Sequence, residues 1–255
     1  MSISAIIITK NEEKTIAGCM NALSFCDEII VVDNKSQDKT VEIAKKKGAK
    51  VFVTAGLDFS YLRNVGKEKS SGEWLINIDA DEIVSKKLAN EIRSVIKRKQ
   101  KFSSYFIKRQ NYYLKHKWPK TELMLRLIRE DSLIGWQGNL HETPIVTGES
   151  GVLSNIMPHY SHTDIGMMVK KTNQWSEAES RLLFNSNHPL MSWWRFMRIM
   201  ISSFLKSYFN NGGWQMGEAG IVESTYQSFS SFITYAKLWE KQSLMERVKN
   251  QEIKR

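Results

Sequence analysis

Proline and cysteine are scarce: the 255 residues hold four of the first and two of the second. With so little proline and no low-complexity tract, no sizeable disordered region is expected. Cys19 and Cys26 lie in an apolar, helix-like stretch, without CxxC spacing or a nearby histidine. That speaks against a metal knot or a disulfide framework and for two free thiols in a reducing cytosol. Both common glycine-rich phosphate loops, GxxxxGKS/T and GxGxxG, are absent, so bound phosphates must be held by other means. No hydrophobic run reaches the ~20 residues that span a bilayer. The N-terminal apolar core, Ile3–Ile8, is too short for a signal segment and lacks a basic flank, so it reads as a first strand. Acids are outnumbered by Lys and Arg, 27 to 37, and the net charge of +10 favours an anionic partner: nucleic acid, anionic lipid or a phosphorylated ligand. The basic residues are spread along helices, and IKRKQK is a single short run, which argues against a nucleic-acid surface.

What is present begins with two buried-strand patterns, SAIIIT (4–9) and EIIVVD (28–33). Between them Ile16, Cys19, Met20 and Leu23 fall at helical spacing. Ser36 or Asp38 can cap a second helix that Gly48 ends, and KVFV follows as a third strand. A third helix starts at Ser60, and residues 73–79 form a fourth strand. This alternation predicts an α/β fold, a mostly parallel sheet with helices on both faces. SKKLANEIRSVIKRK is a clear amphipathic helix. Residues 104–165 change character, with more polar strands and irregular loops, and the remainder reads as helical. The division expected is one domain over 1–165, itself split at 103/104, then a helical C-terminal region over 166–255.

Within that region, residues 191–209 place Arg195, Arg198, Ser202 and Lys206 along one stripe, opposite Trp193, Met197, Met200, Phe204 and Tyr208. A helix of this kind suits a membrane interface and suits equally a helix packed on the rest of the fold.

The chemistry concentrates where the fourth strand stops, in LINIDADEI. Acids this close repel, so a positive group is expected among them, and the expected one is a divalent metal brought with a diphosphate. Open α/β sheets bind ligands at the carboxyl ends of their strands. Asp79 and Asp81 sit at one such end, Asp33 at another, and Thr9, Lys10, Asn11 and Glu12 at a third. Paired acids facing a crevice suit Mg²⁺ or Mn²⁺, which complete their coordination with phosphate and water. Arg63 and Lys67, one helical turn apart, are candidates to hold the phosphates; an isolated solvated Arg63 is the plainer alternative. Arg126 and Arg129 in LMLRLIRE are either surface charge on an edge strand or contacts to an anionic ligand. Trp118 and Trp136 suit stacking on the flat face of a ligand, a sugar ring included, and core packing equally.

Taken together, SAIIITKNEE, FCDEIIVVDNKSQDKTVEIAKKKGAKVF, RNVGKEKSSGEWLINIDADE, MLRLIRE, LHE, MPHYSH and GGWQMGEAGIVES resemble family 2 glycosyltransferases of the GT-A fold, in particular a lipopolysaccharide core β-glucosyltransferase-like subgroup. The resemblance implies an inverting, metal-dependent transfer of a hexose, glucose by the subgroup, from a UDP-sugar to a cell-envelope glycan or lipid-linked acceptor. On this resemblance residues 1–103 would be the nucleotide-sugar-binding half of the catalytic domain and 104–165, with Arg126 and Arg129, the acceptor-side half. The free thiols suit work in the cytoplasm, and the 191–209 stripe, read as an interfacial helix, suits peripheral contact at the inner membrane. Thr9, Asn11, Glu12 and Asp33 would line the nucleotide pocket, with Arg63 near base or diphosphate. Asp79 would face the ribose and Asp81 the metal, with His159 as a late metal or diphosphate contact. The usual acidic pair for the base is absent; His141-Glu142 stands in its place. Glu142 is the candidate base, with Asp131 in reserve and His141 on the acceptor side. The competing readings are a sugar nucleotidyltransferase, which should show an N-terminal glycine-rich loop, a basic nucleic-acid- or membrane-binding module without catalysis, and a degenerate transferase kept as a partner protein.

Overall fold

A computed structural model describes residues 1–56, 58–97, 101–138, 142–162 and 164–252. The chain forms two compact units: residues 1–111 with 121–160, and residues 112–120 with 161–255. A boundary at 165/166 in the sequence takes no account of the 112–120 excursion, which clusters with the helical part.

The first unit is built on β1 (Ile3–Thr9), β2 (Glu28–Asp33), β3 (Lys50–Val53) and β4 (Trp74–Asp79), all parallel in the order β3-β2-β1-β4. Every residue of β1 is buried, which is why its sequence is a continuous apolar run rather than an alternation. The period-2 pleat nevertheless sorts its side chains to two faces. Ile3, Ala5 and Ile7 join Trp74, Ile76 and Ile78 in the larger core, with residues of α1 (Ile16–Ala22), α2 (Thr40–Lys46) and α4 (Lys86–Lys97). Ile6 and Leu75 face the other way with Trp136, and Ile8 and Val32 pack on Leu62 of α3 (Phe59–Glu68). The α3 helix can lie this close because Gly66 has no Cβ; one built there would run into Ile6 Cγ2. The cap of α3 is Asp58, whose carboxylate accepts from the Ser60 amide at 2.8 Å.

The register sets Thr9 beside Asp33 and Ile8 beside Asp79, so the carboxyl ends of three strands finish on one edge. At the opposite edge Glu28 ties strand starts together: its carboxylate accepts from Lys50 Nζ at 2.8 Å, from the Ser71 amide at 2.6 Å, and from Ser4 Oγ. Burial works against its charge, but these donors bring its pKa down from 4.5 to about 2. Cys19 and Cys26 are free thiols, and burial pushes Cys26 up to about 12, so neither is poised to react.

The sheet continues past β4 through β6 (His116–Arg129), β5 (Ser104–Tyr113) and β9 (Ser150–His162), with β6 antiparallel to β4. A separate hairpin pairs β7 (Leu133–Gln137) with β8 (Thr143–Val146). Strand β6 is therefore interior, not an edge as its charged sequence suggests. At β9, Glu91 of α4 takes the amides of Ser154 and Asn155 at 2.7 and 2.9 Å.

The second unit packs α5 (Ile165–Asn185) and α6 (Trp193–Leu205) along the 36-residue α7 (Gly217–Glu252). Its interior is unusually polar. Ser176, Ser180, Ser207, Ser224 and Thr234 are buried, and Tyr226 Oη donates to the Met168 carbonyl at 2.6 Å. Small hydroxyls bonded to neighbouring oxygens let helices approach without leaving polar groups unpaired. Trp118, buried and 5.0 Å from the Tyr113 ring, belongs to this unit's packing and is no sugar platform.

Candidate active site

At the carboxyl edge, β1 and β2 deliver a polar cradle. Asp33 is fully buried, and its Oδ2 accepts from the Ser36 amide at 2.8 Å. Ser36 Oγ in turn accepts from the Asn11 amide at 2.8 Å, and Asn11 Oδ1 accepts from the Gln37 amide at the same distance. Asn11 holds a left-handed φ of 57°, a conformation asparagine tolerates better than most residues. Glu12 is anchored through its amide on Thr40 Oγ1 at 2.8 Å and through Oε2, which accepts from Thr15 Oγ1 at 2.7 Å. The structure thus brings Thr9, Asn11, Glu12 and Asp33 together.

The acids of LINIDADEI have positive neighbours, and they are arginines. Arg63 Nη2 donates to Asp79 Oδ1 at 2.7 Å, and Arg126 Nη2 donates to Asp79 Oδ2 at 2.5 Å. Arg126 also reaches Glu82 Oε1 at 2.7 Å, which Arg109 approaches at 3.4 Å. Glu82 is fully buried and closes the turn by accepting the Asp79 amide at 2.9 Å. Arg63, 1% exposed, lies 4.9 Å over the Trp136 ring and donates through Nε to Glu142 Oε1 at 2.9 Å. Burial opposes the charge on Asp79, yet the guanidinia of Arg126 and Arg63 hold its carboxyl well below the usual range. Burial raises the Glu82 carboxyl, against the pull of Arg126 and with the push of the Asp79 charge.

Asp81 meets a histidine. Its Oδ1 lies 3.3 Å from His159 Nε2, while His159 Nδ1 is 2.8 Å from Asn111 Oδ1. The start of this loop and the end of β9 are joined by backbone bonds, Tyr160 amide to Asp81 carbonyl at 3.2 Å and Ile83 amide to Pro158 carbonyl at 3.0 Å. The two residues expected at a metal therefore meet across 78 positions of sequence. They fit one role for a divalent ion: a carboxylate and an imidazole on one side, with phosphate and water on the other. Among the described residues no group of three or more His, Cys, Asp or Glu side chains is placed to hold an ion, so such an ion would depend on its ligand's own oxygens.

Among the described residues, four of the side chains with buried polar atoms that lack a hydrogen-bond partner are Thr9 (Oγ1), Asn77 (its amide), Arg63 (Nη1) and Arg126 (Nε), on or beside the strands that end at this edge. Each such group costs about 1–3 kcal/mol unless something satisfies it. Their concentration around Asp79 is what a polar ligand would relieve.

Several expected site residues lie elsewhere. Arg129 pairs with Asp131 at 2.5 Å and stands opposite Trp74, at the amino end of β4. Asp79 is five residues further along, about 17 Å at the rise of a strand. Asp131 is therefore no reserve base and Arg129 no acceptor contact at this edge, because β6 runs antiparallel and carries them away. Lys67 donates to the Leu133 and Ile134 carbonyls, tying α3 to β7. The α3 helix starts near the carboxyl edge, so one turn past Arg63 already leaves it, and Lys67 is no phosphate ligand. Arg126 is 2% exposed on Asp79 and Glu82, neither surface charge nor a free hand for the acceptor. His141 lies outside the described residues. Arg109, Glu82 and Asn111 were not singled out by the sequence; Glu82 adjoins the Asp pair, whereas nothing local marks Arg109 or Asn111.

Residues 4–148 match the family described as Glycosyl transferase family 2. A glycosyltransferase of Rickettsia prowazekii, named as uncharacterized, is 32% identical over 92% of this chain and 86% of its own length. The lipopolysaccharide core biosynthesis glycosyltransferase LpsC of Rhizobium meliloti is 24% identical over 97% of this chain and 95% of its own. S. aureus TarS 1–349, solved in complex with UDP-GlcNAc, superposes with a TM-score of 0.49 at 15% identity, covering 96% of this chain and 92% of that one. That likeness is too slight to carry a residue's role across.

Proposed function

The chain belongs to glycosyl transferase family 2, and from that premise we infer that it moves a hexose, glucose first among the candidates, from a UDP-sugar to a cell-envelope glycan or lipid-linked acceptor with inversion. The observation that carries this reading is the Asp79–Arg63–Glu142 chain. One buried guanidinium ties the acid at the strand edge to the acid proposed as the base. The relative named for lipopolysaccharide core biosynthesis supports an envelope acceptor.

On this reading Thr9, Asn11, Glu12 and Asp33 receive the nucleoside. Arg63 and Arg126 fix Asp79, so that its carboxylate stays ionised and oriented at the mouth of the site. Asp81 and His159 would hold a divalent ion, which supplies neutralisation of the diphosphate's charge. Glu142 binds Arg63 through Oε1, and among the described residues Oε2 has no protein partner. That oxygen takes the proton of the acceptor hydroxyl as the hydroxyl oxygen bonds to the anomeric carbon. The bond from that carbon to the diphosphate oxygen breaks, and UDP leaves with the electron pair. Pairing with Arg63 holds the Glu142 carboxylate in place, with Oε1 on the guanidinium Nε at 2.9 Å.

A panel of nucleotide sugars tests the donor without knowledge of the acceptor, because such enzymes hydrolyse their donor slowly when water replaces the hydroxyl. UDP-glucose should be hydrolysed with Mn²⁺ and not with EDTA, ahead of GDP- and CDP-sugars. Preference for another base, or no hydrolysis of any donor by folded protein, would contradict the reading.

A further inference from the structure

The helix α6 has thirteen residues and none of them is buried. One side is half-covered by α7: the Phe196 and Phe232 rings are 5.8 Å apart, Ser203 and Ser231 hydroxyls 2.9 Å apart, and Ser228 Oγ donates to the Met200 carbonyl at 2.9 Å. The opposite side is open and apolar. Trp193 is 79% exposed, Met197 50%, Ile201 52% and Leu205 45%, with Trp194 beside them and Phe209 just beyond the helix. Intervals of three and four place Trp194, Met197, Ile201 and Leu205 on one line. Single exposed apolar residues need no explanation, whereas a continuous stripe of large ones marks a contact surface.

The flanks of the stripe are basic. Arg198 and Lys206 share the exposed side, and the Arg195 and Arg198 guanidinia lie 4.8 and 5.6 Å over the Trp194 ring. No acid occurs from Met191 through Met216. The same unit holds the β5–β6 turn, where Lys115, Lys117 and Lys120 are exposed. Lys120 Nζ donates to the Asn210 carbonyl, which sets this basic tip beside the end of α6. Among the described residues no helix is long and apolar enough to cross a membrane, and α6 spans only about 20 Å.

From these observations we propose that the second unit docks on an anionic lipid surface through the open side of α6, with Trp194, Met197, Ile201 and Leu205 entering the headgroup–acyl boundary and Arg195, Arg198 and Lys206 meeting lipid phosphates. Apolar bulk, interfacial tryptophan and flanking cations are the composition of a helix lying in the plane of a bilayer. A second copy of the chain fits less well, since two such faces would oppose like charges. The proposal rests on exposure and charge in the helical unit alone, so it stands or falls separately from the catalytic reading.

Co-sedimentation of the full chain with vesicles of phosphatidylcholine, and of phosphatidylcholine with phosphatidylglycerol, tests it. Binding is expected to the anionic vesicles and to fade as salt rises. The triple variant Arg195→Gln, Arg198→Gln, Lys206→Gln should bind on the order of a hundredfold more weakly. The pair Ile201→Ser, Leu205→Ser should lose vesicle binding while thermal stability holds, because neither side chain is buried. UDP-glucose hydrolysis in solution should be unaltered in both, which separates this test from that of the donor. No wild-type binding, equal binding by the triple variant, or a fall in thermal stability of the serine pair would overturn the proposal. So would a dimer in sedimentation velocity that the serine pair dissociates.

Discussion

Glu142→Gln should lower sugar transfer by ~10² or more while UDP affinity changes little. That factor is the usual scale for removing a general base from a proton transfer in the transition state. The amide keeps the size of the carboxyl and can still accept from Arg63 Nε, so the Asp79–Arg63 pair is expected to survive. What disappears is the ionised oxygen that takes the acceptor's proton. The loss should fall on kcat, with the KM for the donor nearly unchanged. Near wild-type turnover would move the base to another residue. A parallel collapse of UDP binding would instead mean that Glu142 acts by positioning Arg63. Separate measurements of UDP affinity and of turnover distinguish the two.

Arg126→Met should be the most destabilising substitution in the first unit, by about 3–5 kcal/mol, because it leaves carboxylates buried without their counter-charge. Arg126 is the guanidinium that Asp79 and Glu82 share, and Glu82 is fully buried. The sign of the pH dependence follows from Glu82. Its carboxyl is raised in the folded protein by burial, and removing Arg126 takes away the group that pulls it down. A group with a raised folded pKa favours the fold below its unfolded pKa and loses that contribution as pH rises through the folded value. The deficit of Arg126→Met should therefore be smaller at pH 5 than at pH 8. Adding Glu82→Gln should recover part of it, a coupling that a double-mutant cycle reads directly. Denaturant unfolding of the four proteins at both pH values checks this; a single-variant loss under about 1 kcal/mol would show that Arg126 is not the buried counter-ion.

The sheet was legible because burial on both faces writes itself into sequence as the unbroken runs of β1, β2 and β4. The site edge was legible for the same reason: an apolar run ending on acids marks where a strand leaves the core. Asp79 and Asp81 could be named from the strand end and Arg63 from its helix position, Glu142 and His159 only from the resemblance, and none of their partners could be. Direction was harder to read. Nothing in LMLRLIRE says that β6 runs against β4, so Arg126 and Arg129 look equivalent, and the antiparallel register sends one to Asp79 and the other to the far edge. Strand β9, with its three serines and Asn155, and the short β7 lack the alternation that marks a strand; the sheet and the β8 hairpin impose it. The face of α6 shows a third limit. Residue type alone sets Met200, Phe204 and Tyr208 with the exposed stripe, but packing on α7 covers them in part and leaves Trp194, Ile201 and Leu205 outside.

The central claim is that the carboxyl edge of this sheet binds a UDP-sugar with a divalent ion at Asp81. Titration calorimetry of UDP into wild type and Asp81→Ala, each in Mn²⁺ and in EDTA, measures it most directly. Wild type should bind UDP more tightly with Mn²⁺ than with EDTA, and Asp81→Ala should lose that difference while keeping the affinity seen in EDTA. Equal wild-type affinity in Mn²⁺ and in EDTA would contradict the account.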